Sequence, residues 1–246
     1  MKKRQKIAVA RDGPYLVSGG LPLGKEVAKV GKEGEPEQWV KGKEYPVRED
    51  YWLCRCGKSK DKPFCDGKHA DSGFDGAETA SRKPYSEQAR RIEGPELVLG
   101  DAESLCASAR FCLPKGGTWR LTLRSRDPEK RKTAVQQACD CPSGRLVAYD
   151  RKTGKPVEPE FPPSLSLIED PQAKSSGPIW VKGRVAIVSA DGEVYEKRNR
   201  VTLCRCGGSE NKPFCDGTHV DIGFNDGDPS LRKRSRTRKT TNGARQ

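Results

Sequence analysis

The 246-residue chain has a hydrophobic fraction of 33%, with 26 Gly, 18 Pro and 10 Cys, which allows two small domains or three very small ones, each with a modest core and in need of a staple. Its formal charge of +13 is concentrated at the ends. Residues 1–6 carry four positives and residues 231–246 carry seven, with no acidic residue in either stretch, so the body is close to neutral and is excluded as a basic nucleic-acid-binding surface.

In chain order, Ile7–Ala10 is too short an apolar run to serve an export signal, and no stretch approaches a membrane span. A cytoplasmic, reduced protein is expected, in which cysteines ligate metal rather than pair. Tyr15–Val17 then reads as β. Next comes Cys-x-Cys, a third Cys nine residues on and a His four further: Cys54, Cys56, Cys65 and His69. Ser86–Glu93 reads as helical, and Asp127–Ala138 as a stronger helix with Asp127 at the N-cap and Pro128 in the first turn. The Pro- and Glu-rich stretch Thr153–Pro163 reads as a linker. Beyond it Trp180–Val181, Val185–Val188 and Arg200–Leu203 read as strands, with a hairpin turn at Asp191-Gly192. The cysteine loop then recurs without a gap, 150 residues after the first, as Cys204, Cys206, Cys215 and His219. Residues 226–246 lack apolar content and are expected to be disordered.

Three thiols and one imidazole within sixteen residues can close a tetrahedral or a two-metal site. Zinc knuckles of this size more often use Cys-x-x-Cys. A one-residue spacing suits two thiolates on one iron of a small cluster, with the Cys/His pair on the other. Pro63 and Pro213 stiffen the loops, and Gly67 and Gly217 remove bulk where the chain wraps the metal. The chain has only two histidines, and both fall at the same place in the repeat. Asp66 is placed to cap the turn that follows Cys65.

The pattern Cys-x-Cys-x2-Ser-x3-Pro-x-Cys-Asp-Gly-x-His resembles the CDGSH iron–sulfur (NEET) family at every ligand position of both copies. Lys68 and Thr218 stand where the family's name-giving Ser lies, a position that contributes no ligand. The resemblance implies a [2Fe–2S] cluster on Cys54, Cys56, Cys65 and His69, and another on Cys204, Cys206, Cys215 and His219. Between the copies, Cys106, Cys112, Cys139 and Cys141-Pro142 are similar to the divergent single-cluster [4Fe–4S] ferredoxin domain. That group often has a His inside the first Cys-x5-Cys, where this chain has Ser108. Cys139 is then the candidate fourth ligand, and a three-iron cluster is the alternative.

The expected fold class is α+β. Two small β-rich CDGSH-like modules, residues 1–80 and 164–228, form an intramolecular pseudo-dimer. A ferredoxin-like α+β domain, residues 86–152, is inserted between them, and a basic tail follows at 229–246. No catalytic constellation, phosphate loop or nucleotide fingerprint appears. The expectation is a monomeric, non-enzymatic carrier of electrons or clusters serving redox or cluster-acceptor proteins, with no membrane or nucleic-acid partner. The alternative is a zinc-stabilised module whose tail, Arg232–Lys239, contacts nucleic acid.

Replacing a thiolate by imidazole raises a cluster's reduction potential and adds a ligand that protonates near neutral pH. Acidification to about pH 6 should therefore bleach the visible absorption, and His69→Cys with His219→Cys should slow that decay. Equal decay in both proteins would contradict the assignment.

Overall fold

The computed structural model describes residues 4–32 and 34–232. The first copy contributes β1 (Lys6–Val9), β2 (Tyr15–Ser18), β3 (Leu23–Val30), β4 (Pro36–Glu44) and β5 (Asp50–Leu53), which delivers the chain into the first cysteine loop. The inserted segment contains α1 (Tyr85–Gln88), β6 (Arg90–Glu93), β7 (Leu97–Asp101), α2 (Thr118–Leu123), α3 (Pro128–Asp140) and β8 (Leu146–Asp150). The second copy follows with β9 (Ser164–Asp170), β10 (Ser175–Lys182), β11 (Ala186–Val188) and β12 (Arg200–Leu203), then the second loop and α4 (Thr218–Asp221).

The two copies are interleaved. One sheet runs β11-β1-β2-β5 and the other β12-β10-β9-β3-β4. Within each copy the pairings are antiparallel, β1–β2–β5 and β9–β10–β12. The exchanged strands pair in parallel: Ile7 opposite Ile187 in β1–β11, and Leu23 opposite Leu165 in β3–β9. Each copy thus completes the other's sheet, as expected for an intramolecular pseudo-dimer. The inner faces form one core, in which Ile7, Tyr15, Val17, Leu53, Leu165, Leu167, Ile179 and Leu203 are all buried. Burying a side chain of this size stabilises by about 1.5–3 kcal/mol.

Tyr15 crosses from the first copy to the second, where its hydroxyl donates to Cys204 O at 2.8 Å and Pro213 O at 3.0 Å. Ile179 occupies the matching position beside Cys54 and Pro63, with no hydroxyl to offer them.

In the insertion, the antiparallel sheet β6-β7-β8 packs on α2 and α3, burying Leu97, Leu99, Leu121, Ala134, Ala138 and Leu146. Asp127 caps α3 by accepting from Glu129 N at 3.0 Å and Lys130 N at 3.3 Å. The helix expected over Ser86–Glu93 stops at Gln88, and Arg90–Glu93 is instead a strand, with Ile92 opposite Leu99. A four-residue edge strand with one inward side chain has no period long enough to separate it from a helical turn. The linker follows β8, with Val157 N bonded to Ala148 O at 2.8 Å. Residues 226–231, expected to be disordered, pack across both copies: Asp226 pairs with Arg205 of the second, Asp228 with Lys25 of β3 in the first, and Leu231 is buried. The basic stretch from Lys233 onward lies outside the described residues.

Arg200 of β12 docks the insertion. Its guanidinium donates to Ala138 O at 2.8 Å, Cys141 O at 2.9 Å and Leu146 O at 3.0 Å, covering the carbonyl end of α3. Arg200→Met removes three charge-assisted bonds and should lower stability by about 3 kcal/mol. Tyr15→Phe should cost about 1 kcal/mol. Urea unfolding followed by circular dichroism measures both.

Candidate metal centres

Each cysteine loop folds back on the strand that feeds it. Leu53 bridges Phe64 and Leu203 bridges Phe214. Cys54 N bonds Pro63 O at 2.8 Å and Cys65 N bonds Trp52 O at 3.0 Å, with Cys204–Pro213 and Cys215–Thr202 repeating the pattern at 2.9 Å each. The Lys62–Pro63 and Lys212–Pro213 peptides are cis. Ser59 Oγ donates to Phe64 O at 2.7 Å and accepts from Asp61 N at 3.0 Å, and Ser209 does the same with Phe214 and Asn211. Asp66 ties the two arms of its loop together by accepting from Lys60 N at 2.8 Å and Lys68 N at 3.0 Å. Asp216 accepts from Glu210 N and Thr218 N in the same way. These aspartates are structural staples for the loop backbone, and Asp216 also accepts from Thr218 Oγ1 at 2.7 Å.

Gly67 and Gly217 lie in the left-handed region, at φ 86° and 97°. The tight turn each one opens brings the His ring back over the preceding Cys, so that Nδ1 lies 3.4 Å from Sγ in both Cys65–His69 and Cys215–His219. The paired thiols are 3.8 Å apart in Cys54–Cys56 and 3.6 Å apart in Cys204–Cys206. Lys58 N and Gly67 N point at Cys56 and Cys65 sulfurs at 3.4 Å, and Gly208 N and Gly217 N do so in the second loop.

This donor set tests the metal. Within each pair the atoms are as close as two ligands of one ion. Among the described residues, however, the only trio of His, Cys, Asp or Glu ligand atoms all within 4.8 Å of one another is Glu169, Asp226 and Asp228. No three donors of either cysteine loop are gathered that tightly, whereas zinc with bonds of about 2.3 Å would gather all four. Two close pairs held apart from each other fit a two-iron cluster with one pair on each iron. The Glu169 trio is neutralised from within, by Arg205 and Lys25.

Arg55 and Arg205, between the paired thiols, turn back beneath their loops and are 1% and 3% exposed. Arg55 donates to Ala10 O, Gly13 O and Gly76 O and lies over the Tyr15 and Phe74 rings. Arg205 donates to Gly177 O at 2.7 Å and Ile168 O at 3.0 Å, pairs with Glu169 at 2.8 Å, and lies over Phe224. Burial pushes Glu169 up to about 7. Sequence reasoning passed over both arginines, although Cys-Arg-Cys is identical in the two copies.

The loops meet at the pseudo-twofold axis. A Cβ on Gly57 would lie 2.4 Å from Cys206 O, and one on Gly207 would lie 2.5 Å from Cys56 O, both at positive φ. Only glycine permits this approach.

Of the four central cysteines, Cys106, Cys112 and Cys141 line one small cavity together with Ser108, Ser143 and Arg145. Cys139, expected as a fourth ligand, lies outside this lining. It sits on α3 two residues before Cys141, a spacing that turns the two side chains to different faces, and its thiol faces Val157 O at 3.4 Å. Arg145, paired with Asp101 at 2.6 Å, brings positive charge to this cavity. The three thiols are spread more widely than one ion would hold them, which suits a larger cluster.

Burial pushes the Cys54 thiol up to about 11 and Cys112 up to about 12, the neighbouring thiols adding to the effect. Iron binding must therefore displace protons, and affinity falls as pH falls. Burial lowers His219 to about 4, which keeps its imidazole neutral and available as a ligand at neutral pH and departs from the expectation that this histidine protonates near neutral pH. Cys139→Ala should leave iron and sulfide content unchanged, whereas Cys106→Ala, Cys112→Ala or Cys141→Ala should lower both. Chemical quantification of the purified variants decides this.

Two family models match the chain. The iron-binding zinc finger CDGSH type covers residues 12–70 and 176–220, and the divergent 4Fe-4S mono-cluster covers 92–151. No curated protein and no solved structure matches it. Both cysteine–histidine loops and the three clustered central cysteines fall inside the matched segments. The chain therefore carries two CDGSH-type iron-binding segments flanking a divergent 4Fe–4S mono-cluster domain.

Proposed function

We propose that the protein is an electron carrier holding a [2Fe–2S] cluster in each CDGSH loop, through three Cys and one His, and a third cluster on Cys106, Cys112 and Cys141. Such clusters, when bound, accept and release single electrons. The observation that carries the proposal is the contact between all three ligand loops. The second loop touches the first through Gly57–Cys206 and Gly207–Cys56. It touches the central ligand loop through Gly217, where a Cβ would lie 2.4 Å from Ser108 Oγ and 3.2 Å from Cys106 O. The order is central, second, first. Electron tunnelling falls steeply with gap, and a chain of touching ligand loops has little reason to exist in a store of independent clusters.

The protein's own residues hold this order. Arg110 clamps the central ligand loop to β9 by donating to both Asp170 oxygens, at 2.8 and 2.6 Å. Asn211 of the second loop donates to Ser104 O at 2.9 Å. Ten unpaired cysteines fit a reducing cytoplasm and a partner among redox proteins. No described helix is long and apolar enough to cross a membrane.

Anaerobically purified protein should be red-brown and should bleach on reduction. EPR should resolve two [2Fe–2S]-type centres and one cubane-type centre. A colourless, iron-free, zinc-loaded protein would overturn the proposal, as would centres that take up no electron from any donor.

A further inference from the structure

The two CDGSH loops share a sequence but differ in their surroundings. A Cβ on Gly67 would meet nothing within 4 Å, whereas one on Gly217 would run into Ser108 and Cys106. Cys215 is 2% exposed and His219 5%, but Cys65 and His69 are only half-buried, and Asp66, Gly67 and Lys68 are exposed. The strand residue beside each loop shows the same contrast. Trp52 is 47% exposed, while Thr202 at the matching register is 2% exposed. The insertion causes the difference: its Ser104–Arg110 stretch lies on the second loop, and nothing in the described chain plays that part for the first.

We propose that the first loop is the exchange face of the molecule, where a redox protein partner meets a cluster, and that the second loop is a covered site whose Cys215–His219 face is closed by the insertion. This rests on cluster binding in both loops, not on the direction or partner of electron flow. The exposed surface around Cys65–His69, with Trp52 at its edge, is where such a partner has to dock. Tryptophan is the residue type most enriched among dominant contacts in protein interfaces. The second loop keeps Glu210 exposed and Cys206 half-buried, but its Cys215–His219 face is covered.

Iron release to a soluble chelator at fixed neutral pH tests the assignment on the loaded full-length protein, read by visible circular dichroism and EPR. Two phases are expected for the [2Fe–2S]-type centres. The slow one should lag by about tenfold, the factor that a seam opening of about 1.4 kcal/mol imposes. His69→Cys, which removes a nitrogen ligand, should alter the spectrum of the fast-releasing centre, and His219→Cys that of the slow one. Gly67→Ala and Gly217→Ala carry the same left-handed strain, but only the second also drives a Cβ into the insertion. Gly217→Ala should therefore speed the slow phase, and Arg110→Gln, which unclamps the ligand loop from β9, should do the same.

A single phase, or a slow phase that carries the His69→Cys signature, overturns the proposal, as does a slow phase indifferent to both seam variants. Biphasic release from centres that never exchange electrons would retain the accessible first loop and the covered second one while defeating both the electron-carrier reading and the redox partner. A protein without [2Fe–2S]-type centres defeats both.

Discussion

The parallel pairing of β1 with β11 and of β3 with β9 decides where every CDGSH ligand stands. Each cysteine loop is fed by a four-residue strand, β5 or β12, and neither copy has enough apolar sequence to bury those strands alone. The exchange closes one core between two sheets. It leaves both strands ending on the same side of that core, with Cys54–Gly57 against Cys204–Gly207. Tyr15 shows how tightly the copies are joined: its ring belongs to the first core face and its hydroxyl to the second loop. Splitting the chain between the copies would separate strands that share hydrogen bonds, so the two modules are halves of one unit.

On that unit the insertion acts as a wedge on one side only. It enters after the first loop and leaves into β9, so its ends are anchored at the second copy. Arg200 and Arg110 fasten it there through charge-assisted bonds to carbonyls and to Asp170. The pseudo-twofold symmetry is thereby broken where it matters for access. Arg55 and Arg205 mark a second asymmetry under the loops. The first is satisfied by carbonyls and rings, and the second also by Glu169 and Asp226.

The site ligands were legible because metal chemistry constrains residue type and spacing within a short stretch. Cys-x-Cys followed by Cys-Asp-Gly-x-His needs no long-range contact to be recognised. The helix at Asp127 was legible for the same reason, its cap and first-turn proline lying in the helix itself. The strands β1, β3, β4, β5, β6, β7, β8 and β9 were not read, because their own patterns are short or mixed and several pair only with partners far along the chain. Cys139 stands apart from the other three central cysteines because Cys-x-Cys at the end of a helix splits two side chains between faces.

The sequence by itself determined the candidate donor atoms and the duplication that implies two equivalent sites, since both are local. Only the tertiary structure decided that the sites are not equivalent. The covering of Gly217 by Ser108, the exposure of Gly67, and the joining of three ligand loops in one line arise between residues over 100 positions apart. No local pattern encodes which of two near-identical loops a neighbouring domain will cover. That depends on where the insertion is anchored, with Arg110 reaching Asp170 and Arg200 of β12 meeting the insertion's carbonyls.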